Sequence, residues 1–152
     1  MKDVEAGKKA LVFGYCFMKL EGEPCMTTWR DDKNETNFIS NSGPRILEPG
    51  TYSLRGFWSD TSEKGLKYSI SNLRNIASFS VKGGEVLYIG HLEFDLNKKS
   101  SIHRAINVLD DKNSLAVHYL TKNQPELLPH LQTRLIQLSP ETLAAQASRN
   151  SH

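Results

Sequence analysis

With 152 residues the chain has room for one domain with a real core, and not for two ordinary ones. Apolar residues make up 38% and charged residues 24%, a balance that excludes a disordered chain and fits a globular one. The 19 basic and 17 acidic residues nearly cancel to +2, so no basic stripe speaks for nucleic acid; the densest basic stretch, residues 97–104 with Lys98, Lys99 and Arg104, reads as a solvated loop.

Residues 1–9 are expected to be disordered, with the first strand over residues 10–18. No apolar run approaches the length of a bilayer span. The run at 10–18 is not a signal segment either. Asp3 and Glu5 precede it, no small-residue cleavage site follows, and Tyr15 stands where a lipoprotein signal needs a small residue before the cysteine. Its two alternating sets are both apolar: Leu11, Phe13, Tyr15 and Phe17 on one side, Val12, Gly14, Cys16 and Met18 on the other. A strand covered on both faces has this pattern.

A hairpin turn is expected at Glu21-Gly22, then a strand over 25–30 and a polar loop over 31–36. Asn41 to Pro44 breaks the chain, and Glu48-Pro49-Gly50 is its clearest turn. Strands are expected at 51–59 and 66–71, with a loop over 60–65. Residues 79–81 lead into Lys82-Gly83-Gly84-Glu85, read as a glycine hairpin. In the next strand Val86, Tyr88, Leu92, Phe94 and Leu96 fall on one face with Gly90 between them; Leu87, Ile89, His91, Glu93 and Asp95 take the other. Gly90 marks a bulge or the close approach of a neighbour.

The period then changes. Asp110-Asp111 is placed to cap a helix carrying Leu115, Ala116, Tyr119 and Leu120. Leu127, Leu128, Leu131, Leu135 and Leu138 fit a helical face interrupted by Pro129. Ser139-Pro140 opens a last helix, with serine at the cap and proline at the first position; its small apolar surface predicts fraying. The expected fold is therefore a mostly-β, antiparallel sandwich over 10–109, a helical extension over 110–138 packed on it, and a frayed tail over 139–152.

Cys16 and Cys25 flank the first expected hairpin. A two-residue turn at Glu21-Gly22 sets Pro24 opposite Lys19 and leaves Cys16 diagonal to Cys25, roughly 7–8 Å away in a regular ladder. That spacing favours two buried free thiols over a disulfide, although export would favour the bridge. The histidines, His91, His103, His118, His130 and His152, show no zinc-site spacing, so no metal or other cofactor is expected. His91 is placed at the outward edge of its strand. There is no nucleophile elbow, Walker loop or dinucleotide fingerprint. The pairs Asp31-Asp32 and Asp110-Asp111 are explained by a polar loop and a helix cap, and Asn34-Glu35-Thr36 matches a glycosylation sequon. No catalytic residue is assigned.

Aromatic residues are spread over nearly every strand and suit a sandwich core. The adjacent pair Phe57-Trp58 cannot both face inward, so one of them is a candidate exposed anchor. Trp29 joins Phe57 and Trp58 as a candidate contact.

Two stretches carry a resemblance. Leu47-Glu48-Pro49-Gly50-Thr51-Tyr52-Ser53-Leu54, and the run from Phe79 to Gly90, resemble bacterial envelope proteins, many of them lipoproteins, with a carboxypeptidase-regulatory-like or prealbumin-like β-sandwich. In that family the two stretches form neighbouring core strands. The resemblance covers roughly residues 45–120 and implies a periplasmic or outer-membrane-associated location without an enzymatic role.

Three readings follow. The first is a non-catalytic envelope module that joins a protein assembly, with its export signal, and any lipidated anchor, outside this chain. The second is a binder of a glycan or peptide using exposed aromatics. The third is a hydrolase built around His91 or His118.

Overall fold

The computed structural model describes residues 2–18, 25–40, 43–61, 66–95, 102–110 and 112–149. In chain order they form α1 (Lys2–Glu5), β1 (Ala10–Met18), β2 (Cys25–Arg30), β3 (Glu35–Ile39), β4 (Arg45–Leu47), β5 (Gly50–Thr61), β6 (Leu66–Ile70), β7 (Ala77–Val81), β8 (Val86–Phe94), α2 (Ile102–Ala105), β9 (Ile106–Leu109), α3 (Asn113–Asn123), a 3-10 turn (Pro125–His130), β10 (Leu131–Thr133), β11 (Gln137–Leu138) and α4 (Pro140–Arg149). The protein is mostly β, with two packed sheets and helices towards its C-terminus.

The five-stranded sheet has the order β10-β8-β1-β4, with β9 further along the same edge of β8. It is mixed, where an antiparallel sandwich was expected: β8 runs parallel to both β1 and β10, because the chain between β1 and β8 passes through the other sheet before returning, and β4 and β9 are antiparallel to their neighbours. The six-stranded sheet has the order β11-β7-β5-β2-β3, with β6 also on β5, and every pair in it is antiparallel.

Between the sheets lies the main core. Phe79 is its hub, stacked on Tyr52 at 5.3 Å and edge-on to Trp29 at 5.0 Å and Phe38 at 6.0 Å, while Phe57 meets Phe94 across the sheets at 3.9 Å. A second core covers the far side of the five-stranded sheet. There Leu11, Phe13, Tyr15, Val86 and Tyr88 pack on Val4 of α1, Ala116 and Leu120 of α3, and Leu127. This third, helical layer explains why β1 and β8 are apolar on both faces. The alternating sets expected for β1 are the ones observed, with Val12, Cys16 and Met18 between the sheets and Leu11, Phe13 and Tyr15 under the helices.

In β8 the expected alternation fails at one residue. Phe13 pairs with Tyr88 and Tyr15 with His91, so Gly14 alone opposes Ile89 and Gly90. The extra residue shifts the side-chain period by one. Leu87 and Ile89 before it, and Leu92 and Phe94 after it, face the main core, while Val86 and Tyr88 face the helical layer. His91 is consequently buried and meets the Phe17 ring edge-on at 5.4 Å, not at an outward edge.

The expected hairpins are corrected by sheet membership. β1 and β2 belong to different sheets, as do β4 and β5, and β7 and β8. Pro49-Gly50 and Gly83-Gly84 therefore turn corners between sheets. A Cβ on Gly83 would lie 2.0 Å from the Gly7 carbonyl oxygen, so this corner packs directly on the N-terminal segment. The turn expected at Glu21-Gly22 lies outside the described residues.

Other expectations change as well. The N-terminal segment is not disordered where described: α1 docks through Val4, 2% exposed. The leucines after 127 do not form one helix. Pro125 and Pro129 restrict the segment to a 3-10 turn, and the free edges of β8 and β7 recruit β10 and β11. The helical extension is thus also part of both sheets. The last helix is anchored by hydrogen bonds instead of apolar area. Ser139 Oγ accepts from Thr142 N, Thr142 Oγ1 donates to Ile76 O at 3.0 Å, and Gln146 Nε2 donates to the carbonyls of His103 and Ile106.

Candidate functional site on the open face of the six-stranded sheet

Helices cover one outer face of the molecule, and the other is the outside of β3, β2 and β5. Cross-strand pairing sets Ile39 beside Met26 and Met26 beside Trp58, so three large side chains form a row across three strands. Trp58 is 39% exposed and Ile39 40%, and neither belongs to a core cluster. The next row holds Asn37, Thr28 and Gly56, with Thr28 Oγ1 donating to Asn37 Oδ1 at 2.7 Å.

A second bulge shapes this face. Thr28 pairs with Gly56 and Trp29 with Leu54, leaving Arg55 as the extra residue of β5. Gly56 carries no side chain on the solvent side, and a trough of about 300 Å³ opens there. Met26, Trp58 and Ile70 form its apolar walls, and Arg30, Arg55, Glu35 and Asn72 bring charged and amide groups to its rim. Flat aromatic surface, two guanidinium groups, a carboxylate and an amide thus meet on one face. Such a set can stack on a planar or apolar surface and form directed hydrogen bonds around it.

Of the three aromatic candidates, the fold keeps one at the surface. Trp58 is exposed, whereas Phe57 is 2% exposed and Trp29 is fully buried, its indole N–H donating to Thr27 Oγ1 at 2.9 Å. Phe57 and Trp29 are therefore core residues, because β-strand alternation turns them towards Phe94 and Phe79. Ile39, Met26 and Gly56 escaped the sequence reading. Residues 31–36 read as loop, which hid β3, although Thr36 and Phe38 alternate with Asn37 and Ile39 as a half-buried strand should.

Cys16 and Cys25 form a disulfide, with Cα atoms 5.5 Å apart. The expectation of free thiols rested on a hairpin ladder that does not exist. β1 and β2 face each other across the core, and the cysteines meet there. Ser40 supports the junction: its hydroxyl donates to Cys16 O and accepts from Cys25 N.

Among the described residues the histidines sit in separate surroundings. His91 is buried under Phe17, His118 lies on the exposed side of α3, and His103 Nδ1 is 2.8 Å from Thr142 Oγ1. Asp31 accepts backbone N–H bonds from Lys33 and Asn34, which hold its carboxyl below the usual range and mark a loop-shaping role. Among the described residues no group of histidines, cysteines and carboxylates could hold a metal ion. In comparisons with known proteins, no family model, curated protein or solved structure matches the chain.

Proposed function

We propose that the protein is a non-catalytic module of the cell envelope that joins a protein assembly through the open face of its six-stranded sheet. The row Ile39-Met26-Trp58 carries this reading. Tryptophan, methionine and arginine are enriched at interface centres, where a tryptophan side chain can anchor in a partner pocket. The partner surface that fits is an apolar recess rimmed by acceptors for Arg30 and Arg55. The Cys16–Cys25 bond supports an oxidising compartment. An immunoglobulin-like or prealbumin-like sandwich is supported by Tyr52, whose hydroxyl donates back to Glu48 O at 2.8 Å, as a tyrosine corner does.

A photo-crosslinking residue at Ile39, in cells making the full protein, tests the reading. One envelope protein is expected to be captured from position 39 and not from a control at Thr121 on the other side. W58A should weaken binding of that purified partner at least tenfold and leave the unfolding midpoint unchanged. Equal crosslinking from both positions, or a cytosolic protein in fractionated cells, would overturn it.

The trough at Gly56 favours a second reading, in which the same face binds a glycan, with a sugar ring on Trp58 and polar contacts from Arg30, Glu35 and Asn72. Trp29 is buried, so a tryptophan fluorescence change on titration with cell-wall oligosaccharides would report Trp58. Flat titrations would dismiss this second reading.

A further inference from the structure

A second groove lies on the opposite side of the molecule, where α3 crosses the outer face of β1. Its volume is about 300 Å³, and its inner wall is made by Tyr15, Leu115 and Tyr119. Tyr15 is 4% exposed, and burial pushes its phenol well above the usual range, so the floor of the groove stays uncharged. Tyr119 is fixed from below by Phe13, edge-on at 5.7 Å. Gly43 stands close over Tyr119, where a Cβ would lie 3.6 Å from the ring.

The outer rim has another character. Leu115, His118 and Lys122 follow at spacings of three and four, so they share the helix face that borders the groove. Among the described residues neither His118 nor Lys122 has a carboxylate within ion-pair distance. A lysine in a last helical turn often serves the unpaired carbonyls there. In α3 other groups take that role: Asn123 Nδ2 donates to Tyr119 O at 2.9 Å and Gln124 N to Leu120 O at 2.8 Å. Lys122 makes neither of these bonds and lines the groove.

An aromatic wall beneath an uncompensated cation and an imidazole is complementary to an anion on an apolar body. We propose that this groove binds a small aromatic or alicyclic carboxylate, with its ring against Tyr15 and Tyr119 and its carboxylate at Lys122 and His118. This site is independent of the Trp58 face.

The test is a titration of the full protein, followed by amide NMR shifts, with benzoate, benzyl alcohol and phenyl phosphate. Benzoate should shift residues 115–123 and bind at least tenfold tighter than benzyl alcohol, which offers the ring without the charge. K122Q should remove most of that preference without changing the thermal midpoint, since the side chain is exposed, and W58A should leave it intact. The proposal fails if benzoate and benzyl alcohol bind alike, if neither shifts α3, or if K122Q binds benzoate as the parent does. Tighter binding of phenyl phosphate than of benzoate would overturn the carboxylate assignment.

Discussion

At the scale of single residues, Gly90 decides how the central strand is used. Its φ is +91°, a conformation that L side chains rarely adopt, and a Cβ there would lie 2.8 Å from Leu109 O and 3.0 Å from Leu135 Cδ2. The first contact is backbone of β9 and cannot give way by a rotamer change. Strain at φ and the clash together should cost G90A about 3 kcal/mol or more. G43A is the natural control, because among the described residues its Cβ would meet only Tyr119, at ordinary van der Waals distance, and it should lie within ~0.5 kcal/mol of the parent. Urea unfolding measures both, and a G90A midpoint equal to that of G43A would refute the argument. The sequence already marked Gly90 as a bulge or a close approach, and it is both. What a period-two pattern could not carry was the consequence, since the bulge reassigns every later side chain of β8. His91 was misplaced for this reason. At the site the same limit appears: the Phe57-Trp58 doublet announced that one ring faces out, but only the register on β2 and β6 says which one, and which side chains surround it.

At the scale of elements, the segment Leu131–Leu138 closes one side of the sandwich. β10 joins the five-stranded sheet, β11 the other, and Arg134 between them holds the corner. Its guanidinium donates to both carboxylate oxygens of Glu85 and to Ser80 O, and Glu85 also accepts from Lys82 N. These bonds, Arg134's first, hold the Glu85 carboxyl below its usual range although partial burial pushes the other way. A carboxyl depressed in the folded state stabilises it fully above the unfolded pKa of about 4.3, and that contribution is lost as pH falls through the lower folded value. Arg134 is 43% exposed, so solvent screening keeps the effect near 1 kcal/mol. E85Q should lose about that much at pH 7 and show a shallower further loss between about pH 5 and 3 than the parent. Parallel pH profiles for the two proteins would count against the clamp. This closure was not legible in the sequence. Turn chemistry located Pro49-Gly50 and Gly83-Gly84 correctly, because glycine and proline answer to local backbone geometry. Whether such a turn returns a strand to its own sheet or carries it to the other is set by distant pairing partners. The same is true of Leu131 and Leu138, whose edge positions depend on β8 and β7, far away in sequence.

At the scale of the molecule, three layers divide the labour. The helical layer and the inter-sheet core bury both faces of the five-stranded sheet, which leaves the six-stranded sheet free to present Trp58. One covalent link joins the sheets. Cys16 in β1 and Cys25 in β2 are nearly fully buried within the main core, yet the aromatic cluster around Phe79 does not include them. The bridge should therefore add stability without determining the fold. Closing a loop of nine residues' separation restricts the unfolded chain by roughly 2.5 kcal/mol. The variant C16A/C25A, with no hydroxyl added to the core, should unfold about 2–3 kcal/mol more easily in urea and keep the partner binding proposed for the Trp58 face. A reducing agent present throughout unfolding and refolding should lower the parent's midpoint towards that of the variant and leave the variant unmoved. In cells, alkylation before reduction should leave both cysteines unmodified if the protein folds in an oxidising compartment. Rapid alkylation of both, with a midpoint insensitive to reductant, would remove the bridge from the stability of this sandwich and take with it the main support for an envelope location.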